Sequence, residues 1–321
     1  MKYNYLPVLL SLLLFVGCSK EKQWDIDRTH TEYFIFALLT PNTRDFRVEL
    51  SPTSPLYEPI EFNNAENPNP TIQLYTINQS GQKKLLTDAF EWINYQGANL
   101  EDTTFRLKKS FFYHTDLTSF TLDQSLRYQL EIEFEDDQKI QSQPQTFPDK
   151  VPITKTTFKP QSEEYALTFA DPGGSYNYYS FQARMKEYVN EDDPLETFFY
   201  SLHSIPFHNL VDDTLFDGNQ EVVFSDEFYV LDGSIAEKII LNAELFTFHL
   251  GDYLFLKKIQ EALDETRTQP YGDNSGDDPF EILFRRPPAQ FYNNLYNTKD
   301  ERVLGGFVLA NSTLGADTRV R

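Results

Sequence analysis

The seven residues YQLEIEF, 128–134, decide how this chain is read. Tyr128, Leu130, Ile132 and Phe134 fall on one side of an extended backbone; Gln129, Glu131 and Glu133 fall on the other. Successive side chains of a strand point to opposite faces, so a period of two describes a strand with one face on a core and one in water. That is the habit of antiparallel sheets, whereas strands buried on both faces read as unbroken apolar runs.

Upstream, Thr71–Ile77 is a second strand, closed by the turn Asn78-Gln79-Ser80-Gly81. Tyr33–Leu39 is a continuous apolar run, consistent with a buried strand. Thr40-Pro41-Asn42 punctuates it, and Phe46–Leu50 resumes in alternation. Residues 51–70, rich in Pro, Asn and Ser, read as a long loop. Short strands separated by turn signals predict an Ig-like antiparallel β-sandwich over residues 31–145. Proline withholds a ladder donor and stiffens the chain, so the Pro-rich stretch 146–160 reads as a connection between two domains.

Beyond it, residues 161–321 predict a β-rich α+β domain. Tyr165–Phe169 is a strand, followed by the turn Asp171-Pro172-Gly173-Gly174. Tyr179, Phe181, Ala183 and Met185 then alternate with polar residues, and Phe198–Leu202, Glu221–Phe224, Glu227–Leu231 and Lys238–Leu245 are further strand candidates. One amphipathic helix stands out between about Leu250 and Thr266, with Phe255, Leu256, Ile259, Ala262 and Leu263 on a shared face. The Gly, Asp and Pro cluster at 270–279 stops it.

The composition, 40% hydrophobic and 24% charged, is that of a folded body. The formal charge of −21 argues against nucleic acid, because a phosphate backbone needs clustered Lys and Arg to displace its counterions. It equally argues against docking on an anionic lipid surface through a basic patch. Two readings of the acidity remain: solubility, or a cation-binding face.

The N-terminus carries the sharpest signal. Lys2 precedes a short apolar segment, Leu6–Val16, which falls below the roughly 20 residues a transmembrane helix needs. Phe15-Val16-Gly17-Cys18 then resembles a bacterial lipobox, with Phe15 where Leu is usual. Residues 1–17 read as a lipoprotein signal peptide cut between Gly17 and Cys18, leaving Cys18 acylated and residues 18–30 as a surface tether. Each buried methylene contributes about 0.8 kcal/mol, so two or three acyl chains anchor where one does not. The alternative is a plain secretory peptide with a chance cysteine, set against the fact that Cys18 is the sequence's one cysteine. No Asp follows Cys18, and the absence of that inner-membrane retention signal points to the outer membrane.

No catalytic signature is visible: the five histidines form no His-Glu-x-x-His pattern, and no Gly-x-Ser-x-Gly elbow or phosphate-cradling glycine loop occurs. No cofactor is expected except calcium. Asp212, Asp213, Asp217, Asn219 and Glu221 surround Gly218, and Asp273, Asn274, Asp277 and Asp278 surround Gly276. Calcium prefers several carboxylate and carbonyl oxygens on a flexible loop, which makes Asp213, Asp217, Asn219, Asp273 and Asp277 candidate ligands. Neither cluster fits an EF-hand; in the first, Leu215 stands where a carboxylate is needed, and solvated turns are the alternative.

A set of short motifs, in order, resembles the Bacteroidota domain-of-unknown-function 4249 family of outer-membrane lipoproteins. They are Phe36-Ala37-Leu38-Leu39-Thr40-Pro41, the Pro148–Ile153 connection, Asp171-Pro172, Tyr178-Tyr179-Ser180-Phe181, Asp217-Gly218, the Tyr253–Leu263 helix, Asn294, and Leu304-Gly305-Gly306-Phe307. Ala37 and Leu295 depart from the family's usual Gly and Ile. The resemblance implies a surface-exposed, non-catalytic lipoprotein held to outer-membrane lipid through Cys18. Its implied role is accessory or solute-capture partner of a TonB-dependent β-barrel transporter; in that role the second domain, with the loops at 203–220 and 270–292, is expected to hold a ligand or the transporter's outer face. A structural or adhesive surface lipoprotein is the alternative.

Overall fold

In the computed structural model of the chain, the run YFIFALL becomes β1 (Tyr33–Leu39), a strand lying between two cores. Ile35, Ala37 and Leu39 enter one core; Phe34 enters another, with Phe36 and Leu38 packed against it. A strand with no wet face needs no polar positions, which is why this stretch shows no alternation. The structure describes residues 33–53, 68–93, 111–136, 138–159, 164–174, 176–188, 197–201, 209–219, 221–227, 238–268, 292–316 and 318–319. The residues expected to form the signal segment and the tether, Gly17 and Cys18 among them, lie outside the described residues, as do Asp273 and Asp277.

The other strands are β2 (Asp45–Pro52), β3 (Thr71–Ile77), β4 (Lys83–Thr87), β5 (Glu91–Ile93), β6 (Phe111–Asp116), β7 (Arg127–Glu133), β8 (Lys139–Ser142), β9 (Ile153–Lys159), β10 (Glu164–Phe169), β11 (Tyr178–Tyr188), β12 (Thr197–Ser201), β13 (Asn209–Asp212), β14 (Val222–Glu227), β15 (Lys238–Phe248), β16 (Tyr292–Asn297), β17 (Arg302–Leu314) and β18 (Thr318–Arg319). One α-helix, α1 (Leu250–Thr268), and a 3-10 turn at Asp213–Leu215 complete the described elements. The chain is therefore mainly β with one prominent helix, as the periodicities predict.

A large curled sheet runs in the order β4-β3-β7-β8-β16-β17-β1-β2-β6-β5. β17 joins it to the rest. Its first part pairs in parallel with β1, from Ile35↔Gly305 to Leu39↔Leu309. Its last part pairs antiparallel with β15, from Phe248↔Ala310 to Glu244↔Leu314, and β15 leads on to β11, β12 and β13. The β1–β17 pair is the one parallel ladder among the described strands. A separate three-stranded sheet, β14-β10-β9, packs on β11 and β15 through Leu167, Phe169, Phe181 and Leu245.

The strands on either side of residues 146–160 thus share one sheet, and residues 32–321 form a single unit. The Pro-rich stretch is strapped down by side-chain donors. Asn311 Nδ2 donates to the Pro148 carbonyl at 3.0 Å, Thr247 Oγ1 to Asp149 at 2.8 Å and Thr313 Oγ1 to Val151 at 2.7 Å. Buried carbonyls without a strand partner need such donors, and β15 and β17 supply them.

The polar side of β7 also differs from expectation. Gln129 and Glu131 are buried, not solvated. Gln129 Nε2 donates to the Ser142 carbonyl at 2.9 Å. Glu131 accepts from Lys83 and from Lys139, the latter at 2.9 Å. Neighbouring lysine stems cover the carboxylate while their ammonium heads neutralise it, so a charge counted as surface becomes part of the wall.

Helix α1 begins where expected and lays Tyr253, Phe255, Leu256 and Ile259 into the second core, against Phe34, Phe246, Phe248 and Val308. Its first turn carries Asp252, buried, with Oδ1 accepting from Asn293 Nδ2 at 2.7 Å and Oδ2 from the Leu309 amide at 3.3 Å. Burial raises its pKa to about 6, against the hydrogen bonds that favour the ionised form. None of the described helices is long and apolar enough to cross a membrane.

Candidate functional site

The described residues gather acidic groups at one corner, where two turns meet above an aromatic floor. β10 ends at Phe169, and the turn Asp171-Pro172-Gly173-Gly174 carries the chain toward β11. β13 ends at Asp212, and the 3-10 turn Asp213–Leu215 leads through Gly218 toward β14. Because β14 pairs with β10 and β13 with β11, the two turns are forced together.

Backbone bonds lock them. The Asp171 amide donates to the Asn219 carbonyl at 2.9 Å and the Asp213 amide to the Asn177 carbonyl at 3.2 Å. The approach is close: a Cβ on Gly173 would lie 3.0 Å from the Gly218 Cα, and Gly218 itself has a φ of +73°. Underneath, Phe169, Tyr179, Phe216 and Phe224 pack on one another, with Phe169 and Tyr179 ring centres 4.9 Å apart. Such a floor excludes water and lowers the local dielectric.

Three carboxylates converge on this floor. Asp171, Asp213 and Asp217 each present an oxygen, and these oxygens lie within 4.8 Å of one another. Asp171 is buried; its Oδ1 accepts from the Tyr179 hydroxyl at 2.5 Å and its Oδ2 from the Gly218 amide at 2.8 Å. Asp213 is wholly buried; its Oδ2 accepts from the Asn177 amide at 2.7 Å. Asp217 is exposed, with Oδ1 accepting from the Gly174 amide at 3.2 Å.

The electrostatics follow from this crowding. Burial pushes the Asp213 pKa up, and the negative charges of Asp171 and Asp217 add to it, while hydrogen bonds from Asn177 oppose the rise. Burial and the bond to Asp171 likewise raise the Tyr179 hydroxyl, which stays a donor. Next door, Asp212 caps the 3-10 turn by accepting from Thr214, and that bonding lowers its pKa. It faces Tyr253 of α1 instead of the three-carboxylate cluster.

Of the residues expected to ligate calcium, the structure brings Asp213 and Asp217 together. Asn219 contributes its backbone carbonyl to the lock, accepting from Asp171. Asp273 and Asp277 lie outside the described residues. The expectation that solvated turns explain the first cluster fails at Asp213, which is 0% exposed. Asp171 was not among the expected ligands. It lies more than forty residues upstream, and only the β10–β14 and β11–β13 pairings bring it in. The available sequence signal is the coincidence of Asp171-Pro172 with the strand-borne Tyr179 that donates to it.

The sequence motifs at the chain ends also meet. Phe36 pairs with Gly306 and Ala37 with Phe307 across the parallel ladder. Asn294 uses both ends of its amide on one residue: Nδ2 donates to the Phe307 carbonyl at 2.7 Å, and Oδ1 accepts from the Phe307 amide at 3.0 Å.

Comparison with known proteins gives one family. The family described as Domain of unknown function (DUF4249) matches residues 20–314. No curated protein matches the chain. Among solved structures, it is similar to the native conformation of E. coli alpha-2-macroglobulin, at 12% identity and a TM-score of 0.20, over 70% of this chain and 14% of that one.

Proposed function

The chain belongs to the DUF4249 family, and from that premise we propose that it is an outer-membrane lipoprotein, anchored through acylated Cys18 and facing the cell exterior. There it serves as a non-catalytic accessory or solute-capture partner of a TonB-dependent transporter. The observation that carries the reading is Phe15-Val16-Gly17-Cys18, which ends the apolar segment Leu6–Val16 at the sequence's one cysteine. Charge supports it as well. A chain of net −21 is repelled by anionic lipid, so membrane attachment falls to the acyl chains.

The test is extraction of the full chain from its native membrane in mild detergent. The expected result is a diacylglyceryl thioether on Cys18 by mass spectrometry, release of Cys18→Ser from the membrane, and co-purification with a large β-barrel protein. A bare thiol at Cys18 in the processed form refutes the anchor. Recovery only as a free monomer across several detergents refutes the partnership. If deletion changes surface attachment and leaves nutrient uptake intact, the adhesive role replaces it.

A further inference from the structure

The three-carboxylate corner carries an inference that does not depend on how the chain is anchored. Three aspartates held within 4.8 Å carry up to three negative charges. Among the described residues no Lys, Arg or His forms an ion pair with any of them. Like charges at this spacing in a low-dielectric setting cannot all stay ionised without compensation.

A second observation points to what compensates them. Asp213 is wholly buried, and its Oδ1 has no hydrogen-bond partner among the described residues, although Oδ2 is satisfied by Asn177. A buried carboxylate oxygen without a donor is costly, and buried charges are ordinarily paired or bound to metal. The other two carboxylates are positioned by fixed donors, Tyr179 and Gly218 on Asp171 and Gly174 on Asp217. An oxygen that accepts one such bond keeps a second lone pair.

We infer that Asp171, Asp213 and Asp217 bind one divalent cation of the calcium class, which clamps the 171–174 turn to the 213–218 turn. The donor set is all oxygen, which selects a hard cation over zinc or copper. Calcium–oxygen distances of about 2.3–2.6 Å allow two ligand oxygens to be at most about 5.2 Å apart, and the three carboxylate oxygens, within 4.8 Å of one another, fall inside that limit. The clamp also sets the pose of Leu215, 94% exposed at the end of the 3-10 turn.

The test uses the full chain in detergent, stripped with a chelator and titrated with Ca²⁺, with Mg²⁺ as a parallel arm. Tb³⁺ replaces Ca²⁺ as an optical probe, because a tyrosine hydroxyl bonded to a ligand carboxylate transfers excitation to a bound lanthanide. The expected results are saturable binding with a Kd of roughly 10⁻⁵–10⁻³ M, a calcium-dependent rise in melting temperature, and tyrosine-sensitised Tb³⁺ emission that Ca²⁺ displaces. Asp213→Asn and Asp217→Asn each weaken Ca²⁺ binding by about tenfold or more, the loss of one charged ligand. Without metal, Asp213→Asn melts no lower than the parent, since it removes a buried charge, so its weakened binding is not unfolding. If that variant fails to fold, Asp217→Asn at the exposed ligand gives the same readout. Absence of a melting shift and of Tb³⁺ emission up to ~10 mM Ca²⁺, far above the range for extracellular sites, overturns the site. So do variants that bind as the parent does.

Discussion

Replacing Gly305 with alanine tests the joint on which the fold depends. Gly305 has a φ of +107°, and a Cβ there would lie 1.9 Å from the Ile35 carbonyl oxygen and 2.7 Å from its carbon and nitrogen. Ordinary contact requires about 3.5 Å, so the strands must part by more than about 1 Å. Neither strand can yield cheaply, because Ile35 is buried in β1 and Phe307, Val308 and Leu309 are buried in β17. The φ value alone costs about 1–3 kcal/mol for a residue with a side chain. Each ladder bond lost adds about 1 kcal/mol, and more where a buried group is left unpaired. The expected loss is roughly 4 kcal/mol or more, a large part of the ~5–15 kcal/mol by which a domain is stable. Gly81→Ala is the control: φ there is +82°, but nothing lies within 4 Å of the added carbon. It should cost about 1 kcal/mol, the conformational penalty alone. Urea unfolding of both variants, followed by circular dichroism, makes the comparison. If Gly305→Ala loses no more than Gly81→Ala, the close approach of β1 and β17 does not constrain the fold.

Asp252 gives a pH prediction. Its folded pKa is raised to about 6 from 3.8, so the folded chain holds this proton more tightly than the unfolded chain. The stability it contributes is complete below about pH 4 and is lost as pH rises through about 6, to a total of roughly 3 kcal/mol. Asp252→Asn removes that term, so the stability difference between variant and parent should change by this amount between pH 4 and pH 7; a difference independent of pH would contradict it. Asn294→Ala strips both bonds to Phe307 and leaves a buried amide and carbonyl unpaired, at an expected cost of ~2–4 kcal/mol in chemical denaturation. A loss below about 0.5 kcal/mol would mean that other donors take over.

Local periodicity identified most of what lies locally in the chain. Tyr33–Leu39 and Thr71–Ile77 are strands with the bounds their patterns predict, and the apolar stripe from Phe255 to Ile259 lies on α1. The acidic cluster around Gly218 was legible as the candidates Asp213, Asp217 and Asn219, because they lie close together in the chain; of these, the carboxylates of Asp213 and Asp217 come together. Asp171 was not, because its distance to them is set by strand pairing. The polar residues of β7 misled for a related reason. Alternation shows that Gln129 and Glu131 share a face, but whether Lys83 and Lys139 cover that face depends on β4 and β8.

By itself, the sequence determined the class of structure, the helix and the apolar cores' raw material, since each depends on residues close in the chain. Tertiary structure alone decided that residues 302–314 pair with 33–39 and 244–248, and so that the two halves share one sheet. It also decided that three separated aspartates share one corner. The physical reason is that propensity and periodicity act over a few residues, whereas partner choice between strands is settled by burial of both faces at once. The run at 33–39 shows that both faces are buried and is silent about what buries them.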